Sequence, residues 1–165
     1  MNGLLGRAVI AFLLLPGVVA FLVPWLLLPR GQSLGEVDGL GFIPFLLGVA
    51  LLLWCVWAFY AAGKGTLAPW TPPRHLVVTG LYRFSRNPMY IAVALILSGW
   101  AVGFHSQVIA IYALVVILAF HLRVVLGEEP WLARTHGEAW MRYKAQVPRW
   151  LGVHRRTRTL ENDSR

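Results

Sequence analysis

Four apolar runs alternate with short polar segments along this chain, and that alternation restricts the fold more than any other feature. The first, Leu4 to Leu28, holds Pro16 and Pro24 and ends at Pro29-Arg30. At 1.5 Å per residue it is long enough to cross a hydrocarbon core of roughly 30 Å, with its prolines bending it. A cleaved leader is the competing reading, with Arg7 ahead of the apolar stretch and Val18-Val19-Ala20 as a small-residue cut site, but the apolar run continues unbroken past that point. The polar loop Gly31 to Gly39 leads to a second run, Leu40 to Ala62, with Trp54, Trp57 and Tyr60 near its far end, where aromatic side chains favour the interface. Met89 to Phe104 is a third, short for a full crossing, and Val108 to Leu126 a fourth. The brief break at Gly103-Phe104-His105-Ser106-Gln107 makes the last two antiparallel neighbours, and Ser98, Gly99, Ala101 and Gly103 are expected to let those two backbones approach closely.

Composition agrees with a single membrane domain over residues 1–165. The chain is 58% hydrophobic and 13% charged, with a mean hydropathy of +0.62, values outside the range of soluble domains. A formal charge of +8 in a soluble protein would point to nucleic acid. Here the basic residues flank apolar runs, so topology and anionic lipid explain them and no nucleic acid is expected. The loop Gly63 to Asn87 carries Lys64, Arg74, Arg83 and Arg86 and no acid, which puts it and both termini on the cytoplasmic side. The expected fold is an all-α integral membrane protein. It has four crossings (about 4–28, 40–62, 89–104 and 108–126), a functional loop over 63–88, a C-terminal region over 127–150 and a flexible basic tail over 151–165. Within the C-terminal region, charges mixed with Leu132, Trp140 and Tyr143 read as an amphipathic helix on the cytoplasmic membrane surface, stopped by Pro148.

The segment Arg74 to Tyr90 is too polar for a plain connector, since it carries three arginines besides a histidine and two tyrosines. A topology loop whose arginines only face the cytoplasm is the bland alternative. Gly80 is placed to take a positive φ, and Pro88 suits the first turn of a helix, where its missing N–H has no partner to lose. Arg123 and the pair Glu128-Glu129 fall on the same side as this loop; for Arg123, snorkelling is the ordinary reading of an arginine one turn from the interface. Cys55 reads as a small buried residue, and His105, His121 and His154 lack metal-ligand spacing, so no metal is expected. There is no glycine-rich phosphate loop.

Taken with Glu128-Glu129, Leu132, His136-Gly137, Tyr143 and Val147-Pro148-Arg149, the run Gly80-Leu81-Tyr82-Arg83-Phe84-Ser85-Arg86-Asn87-Pro88-Met89-Tyr90 resembles the isoprenylcysteine carboxyl methyltransferase family. The likeness extends to bacterial relatives and to the wider group that includes phospholipid N-methyltransferases, and it covers roughly residues 63 to 150. It implies an integral-membrane enzyme that uses S-adenosylmethionine. The cofactor-binding positions it implies are His75, Leu76, Val77, Tyr82, Arg86, Asn87, Pro88, Met89, Tyr90, Glu128 and Glu129. Asn87 stands where eukaryotic members have histidine, and asparagine cannot titrate near neutral pH. His136 likewise replaces what is usually an aromatic residue and is taken as structural.

The chemistry of the residues fits that resemblance. S-adenosylmethionine presents a sulfonium, an ammonium and a carboxylate, which suit tyrosine faces, Glu128 or Glu129, and an arginine of the loop. The acceptor is expected to be a lipophilic or lipid-modified molecule from the bilayer, most simply a carboxylate of isoprenylcysteine type held by Arg123, whose guanidinium grips carboxylates in a fixed bidentate geometry. A phospholipid amine acceptor, and a non-catalytic membrane protein that keeps the fold, are the alternatives.

Overall fold

The structure, a computed structural model, describes residues 13–28, 37–61, 78 and 80–152. The expectations for His75, Leu76 and Val77, for most of the loop 63–88 and for the tail beyond residue 152 lie outside the described residues.

Among the described residues the regular structure is all helical, with no strand. Helix α1 comprises a wide, π-helical stretch, Leu13–Leu22, continued by an α-helical Val23–Leu27. It is followed by α2 (Gly39–Ala61), a 3₁₀ turn (Gly80–Arg83), α3 (Pro88–Gly103) and α4 (Gln107–Arg123). A π-helical turn (Val124–Glu128) then runs directly into α5 (Glu129–Gln146).

Helix α3 is the centre of the fold. Its Ala92, Val93, Ile96 and Leu97 form one buried cluster with Ala20 of α1, Leu52 of α2, and Ala113 and Val116 of α4. The broadest contact is between α2 and α3, and it depends on glycines. A Cβ added to Gly99 would lie 2.6 Å from Phe45 Cβ, and one on Gly41 would lie 2.4 Å from the Gly103 backbone. Of the small residues expected to face α4, Gly99 and Gly103 meet α2 and the residues just before it instead.

Helix α1 is fastened by its own proline. Pro24 has no N–H, so the carbonyls four and five residues before it, Ala20 and Val19, have no donor there. Trp100 Nε1 of α3 donates to Ala20 O at 3.0 Å, and the Tyr112 hydroxyl of α4 donates to Val19 O at 3.0 Å.

Two helices, Gly39–Ala58 and the one starting at Gln107, are long and apolar enough to cross a membrane; Pro16–Leu27 and Pro88–Gly103 are shorter apolar helices. Leu40, Ile43, Leu46, Leu53 and Trp57 of α2, and Ile111, Leu114, Val115 and Leu118 of α4, are exposed. So much outward apolar surface suits a lipid surrounding rather than water. Between α3 and α4 the chain turns where expected: Ser106 accepts from the Ile109 N–H at 3.3 Å as an N-cap. The helix does not stop where the apolar run ends near Gly127. It continues to Gly137, whose φ of +50° and ψ of −122° break it, and beyond this bend Trp140, Tyr143 and Val147 pack together.

Candidate functional site

The site is assembled at one end of α3. Gly80, at φ +61°, opens the 3₁₀ turn beside the Trp54 indole of α2. The Phe84 and Ser85 N–H groups both donate to Leu81 O, closing the turn. Ser85 is buried: its Oγ accepts from the Asn87 N–H at 3.1 Å and donates to Arg149 O at 3.3 Å. Helix α3 then starts at Pro88, as its preset φ and missing N–H favour. Pro88 is buried and Met89 packs against the apolar core, so these two fix the helix end.

The two glutamates have different surroundings. Oε1 of Glu128 accepts from the Tyr90 hydroxyl at 2.5 Å and from Arg123 Nε at 2.8 Å. Glu129 is clamped by two arginines: Arg86 Nη1 and Arg149 Nε donate to its Oε1 at 2.8 and 2.7 Å, and Arg149 Nη2 donates to Oε2 at 2.9 Å. The Glu128 side chain is 34% exposed and that of Glu129 only 10%, so Glu128 is the more accessible acid. In an α-helix, residues five apart point about 140° away from each other. The π-helical turn accommodates the extra residue and brings Arg123 beneath Glu128.

The Tyr82 hydroxyl is pushed well above its ordinary range, first by burial and then by Cys55, Tyr143, Tyr90 and Glu128, which puts the two loop-side tyrosines and Glu128 in one neighbourhood. Tyr90 also stacks on Phe120 of α4, with ring centroids 4.4 Å apart. Burial lowers the affinity of Arg86 for its proton, against the opposing pull of Glu129. Its guanidinium lies 5.4 Å from the Trp140 ring centroid, and its Nε is buried without a hydrogen-bond partner. Burial alone would raise the Glu129 carboxyl, but the Arg149 hydrogen bond and the Arg86 and Arg149 charges outweigh it and hold it below its ordinary value.

The chain beyond α5 lies against the loop. Arg86 N–H donates to Pro148 O at 3.0 Å, Asn87 Nδ2 to Arg149 O at 3.0 Å, and the Tyr143 hydroxyl to Tyr82 O at 2.8 Å. Of the expected site residues, Tyr82, Tyr90, Arg123 and Glu128 thus gather in one place, and Arg86, Asn87 and Glu129 in an adjoining network. Ser85, Tyr143 and Arg149 belong to that network with no role foreseen for them. The sequence signals for Arg149 are its place in the Val147-Pro148-Arg149 motif of the resemblance and its position directly after the proline that ends α5.

A family model described as phospholipid methyltransferase matches residues 38–139. The chain belongs to the phospholipid methyltransferase family. Residues 38–139 take in α2, α3, α4, the π-helical turn and the first part of α5, and so both glutamates, Arg123 and Tyr90. Membership indicates a membrane methyltransferase of the phospholipid and isoprenylcysteine group. No curated protein and no solved structure matches the chain.

Proposed function

We propose that this chain transfers the methyl group of S-adenosylmethionine to a lipophilic acceptor from the bilayer, a carboxylate of isoprenylcysteine type. The observation that carries this reading is the meeting of an accessible acid, a tyrosine and an arginine, Glu128, Tyr90 and Arg123, just beyond a long apolar helix. There Arg123 balances the charge of Glu128, which would be costly left unpaired.

The donor set suits the cofactor: Glu128 offers a carboxylate to its ammonium, and Tyr82 and Tyr90 offer ring faces to its sulfonium. Arg86, Asn87, Pro88, Met89 and Glu129 hold that group in place, and His75, Leu76 and Val77 complete the set by resemblance. Bound S-adenosylmethionine supplies an already activated methyl group, so a carboxylate acceptor requires alignment and exclusion of water rather than a base. Arg123 supplies the alignment by gripping that carboxylate. In this reading the chain crosses a bacterial inner membrane four times, with both termini and the site on the cytoplasmic side. The acid-free basic loop Gly63 to Asn87 supports that orientation.

The description of the matching family favours a second reading, phospholipid N-methylation. Methyl transfer from labelled cofactor to prenylcysteine analogues and to phosphatidylethanolamine separates the two. A carboxylate acceptor gives activity that is flat across neutral pH and impaired in Arg123→Lys, which keeps the charge but loses the planar fork. An amine with a pKa of roughly 10 must first lose a proton, so labelled phospholipid with activity climbing into the alkaline range would overturn the carboxylate assignment. No labelled lipid at all would point to a non-catalytic membrane protein.

A further inference from the structure

We infer that Arg149 is a positioning residue, which straps the chain beyond α5 across the Ser85–Asn87 loop and, by holding Glu129, aims Glu128 at the cofactor. The inference rests on the function proposed above and adds to it a division of labour between the glutamates and a residue outside the matched region 38–139.

The strap is fixed at both its backbone and its side chain. Consecutive carbonyls, of Pro148 and Arg149, accept from three groups of the loop: Arg86 N–H, Ser85 Oγ and Asn87 Nδ2. The Arg149 guanidinium meets Glu129 through two parallel bonds of 2.7 and 2.9 Å, the geometry in which an arginine specifies direction as well as charge. Neighbouring helix residues differ by about 100° in direction, so a clamp on Glu129 also sets where Glu128 points. Arg86 closes the circuit, since its main chain binds the strap and its side chain binds Glu129. Arg149 acts through these partners; its fork is committed to Glu129 rather than open to a ligand.

The test is calorimetric titration of the detergent-solubilised full chain with S-adenosylmethionine, with the thermal midpoint measured in the same detergent. The variants are Arg149→Gln, Glu129→Gln, both together, Arg149→Lys and Ser85→Ala. Each of the first two is expected to weaken binding about tenfold, the scale of one lost charged contact. The double variant should be no weaker than the weaker single, because one clamp is broken once. Arg149→Lys should recover part of the loss, and Ser85→Ala, which removes one strap bond and no charge, should cost about threefold. Wild-type affinity in Arg149→Gln alongside a lowered midpoint would reduce Arg149 to a stabilising staple and overturn the inference. Losses that add in full would mean that Arg149 touches the cofactor itself, which overturns it as well. Should Arg149→Gln not fold, wild-type affinity in both Arg149→Lys and Ser85→Ala overturns the inference in its place. A wild-type chain that binds no S-adenosylmethionine sinks the proposed function and this inference together, whereas binding that every variant preserves sinks the inference alone.

Discussion

Gly99→Ala tests the packing that sets the position of α3, and its effect can be worked from distances. The added Cβ would lie 2.6 Å from Phe45 Cβ, 2.7 Å from Phe45 N and 2.8 Å from Phe45 Cα. Carbon atoms prefer separations of roughly 3.5–4.0 Å, so relief requires α2 and α3 to part by close to 1 Å. Phe45 cannot rotate out of the way, because the contacts involve its backbone and Cβ. Parting the helices loosens the cluster of Leu52 with Ile96 and Val93, and overpacking of this kind costs about 1–3 kcal/mol, against about 1 kcal/mol returned by alanine's better helix propensity. The expected net loss of up to about 2 kcal/mol lowers the thermal midpoint in detergent by up to about 8 °C. Gly39→Ala is the control: it lies on the same helix as Phe45 with nothing within 4 Å of the added Cβ, so its midpoint should hold or rise. A Gly99→Ala midpoint equal to that of Gly39→Ala would refute the claim that glycine contact sets the α2–α3 distance.

Acid titration provides a second test, on Glu129. Its folded-state value lies below the ordinary 4.5, so its contribution to stability is fully present above about 4.5 and is lost as pH falls through the lower folded value. The wild-type midpoint should therefore drop through that acid window more steeply than that of Glu129→Gln; parallel curves would count against the clamp. Trp100→Phe and Tyr112→Phe each leave a carbonyl beside Pro24 without its donor and should each lower the midpoint by a few degrees, with Trp100→Phe the larger because Ala20 is fully buried. Gly137→Ala places a side chain at φ +50°, ψ −122°, which only glycine adopts without strain, and should release Trp140 and Tyr143, seen as changed near-UV circular dichroism.

What could be read from the sequence was set by local backbone rules. The turn at Gly80, the start of α3 at Pro88, the break at Gly103–Ser106 and the end of α5 before Pro148 all follow from what glycine and proline can do with φ and with the N–H group. What could not be read were matters of partnership. A stripe of small residues on α3 announces a close neighbour but not which one, and Gly99 and Gly103 meet α2. The end of the apolar run at Leu126 marks a change of surroundings, while the helix needs only its hydrogen bonds and continues. Glu128 and Glu129 are adjacent and chemically alike, and their tertiary partners tell them apart, Tyr90 and Arg123 for the first and Arg86 and Arg149 for the second.

The π-helical turn at Val124–Glu128 acts as a phase shift. One residue more than an α-helix would use is stored there, so everything after it is turned by about 100° relative to everything before. Both acid clusters depend on that offset, the first because Arg123 lies on its near side and the second because Glu129 lies on its far side. Removing a single residue between Val125 and Gly127 would leave an intact helix with both glutamates facing elsewhere. At this turn the number of residues matters more than which apolar residues they are.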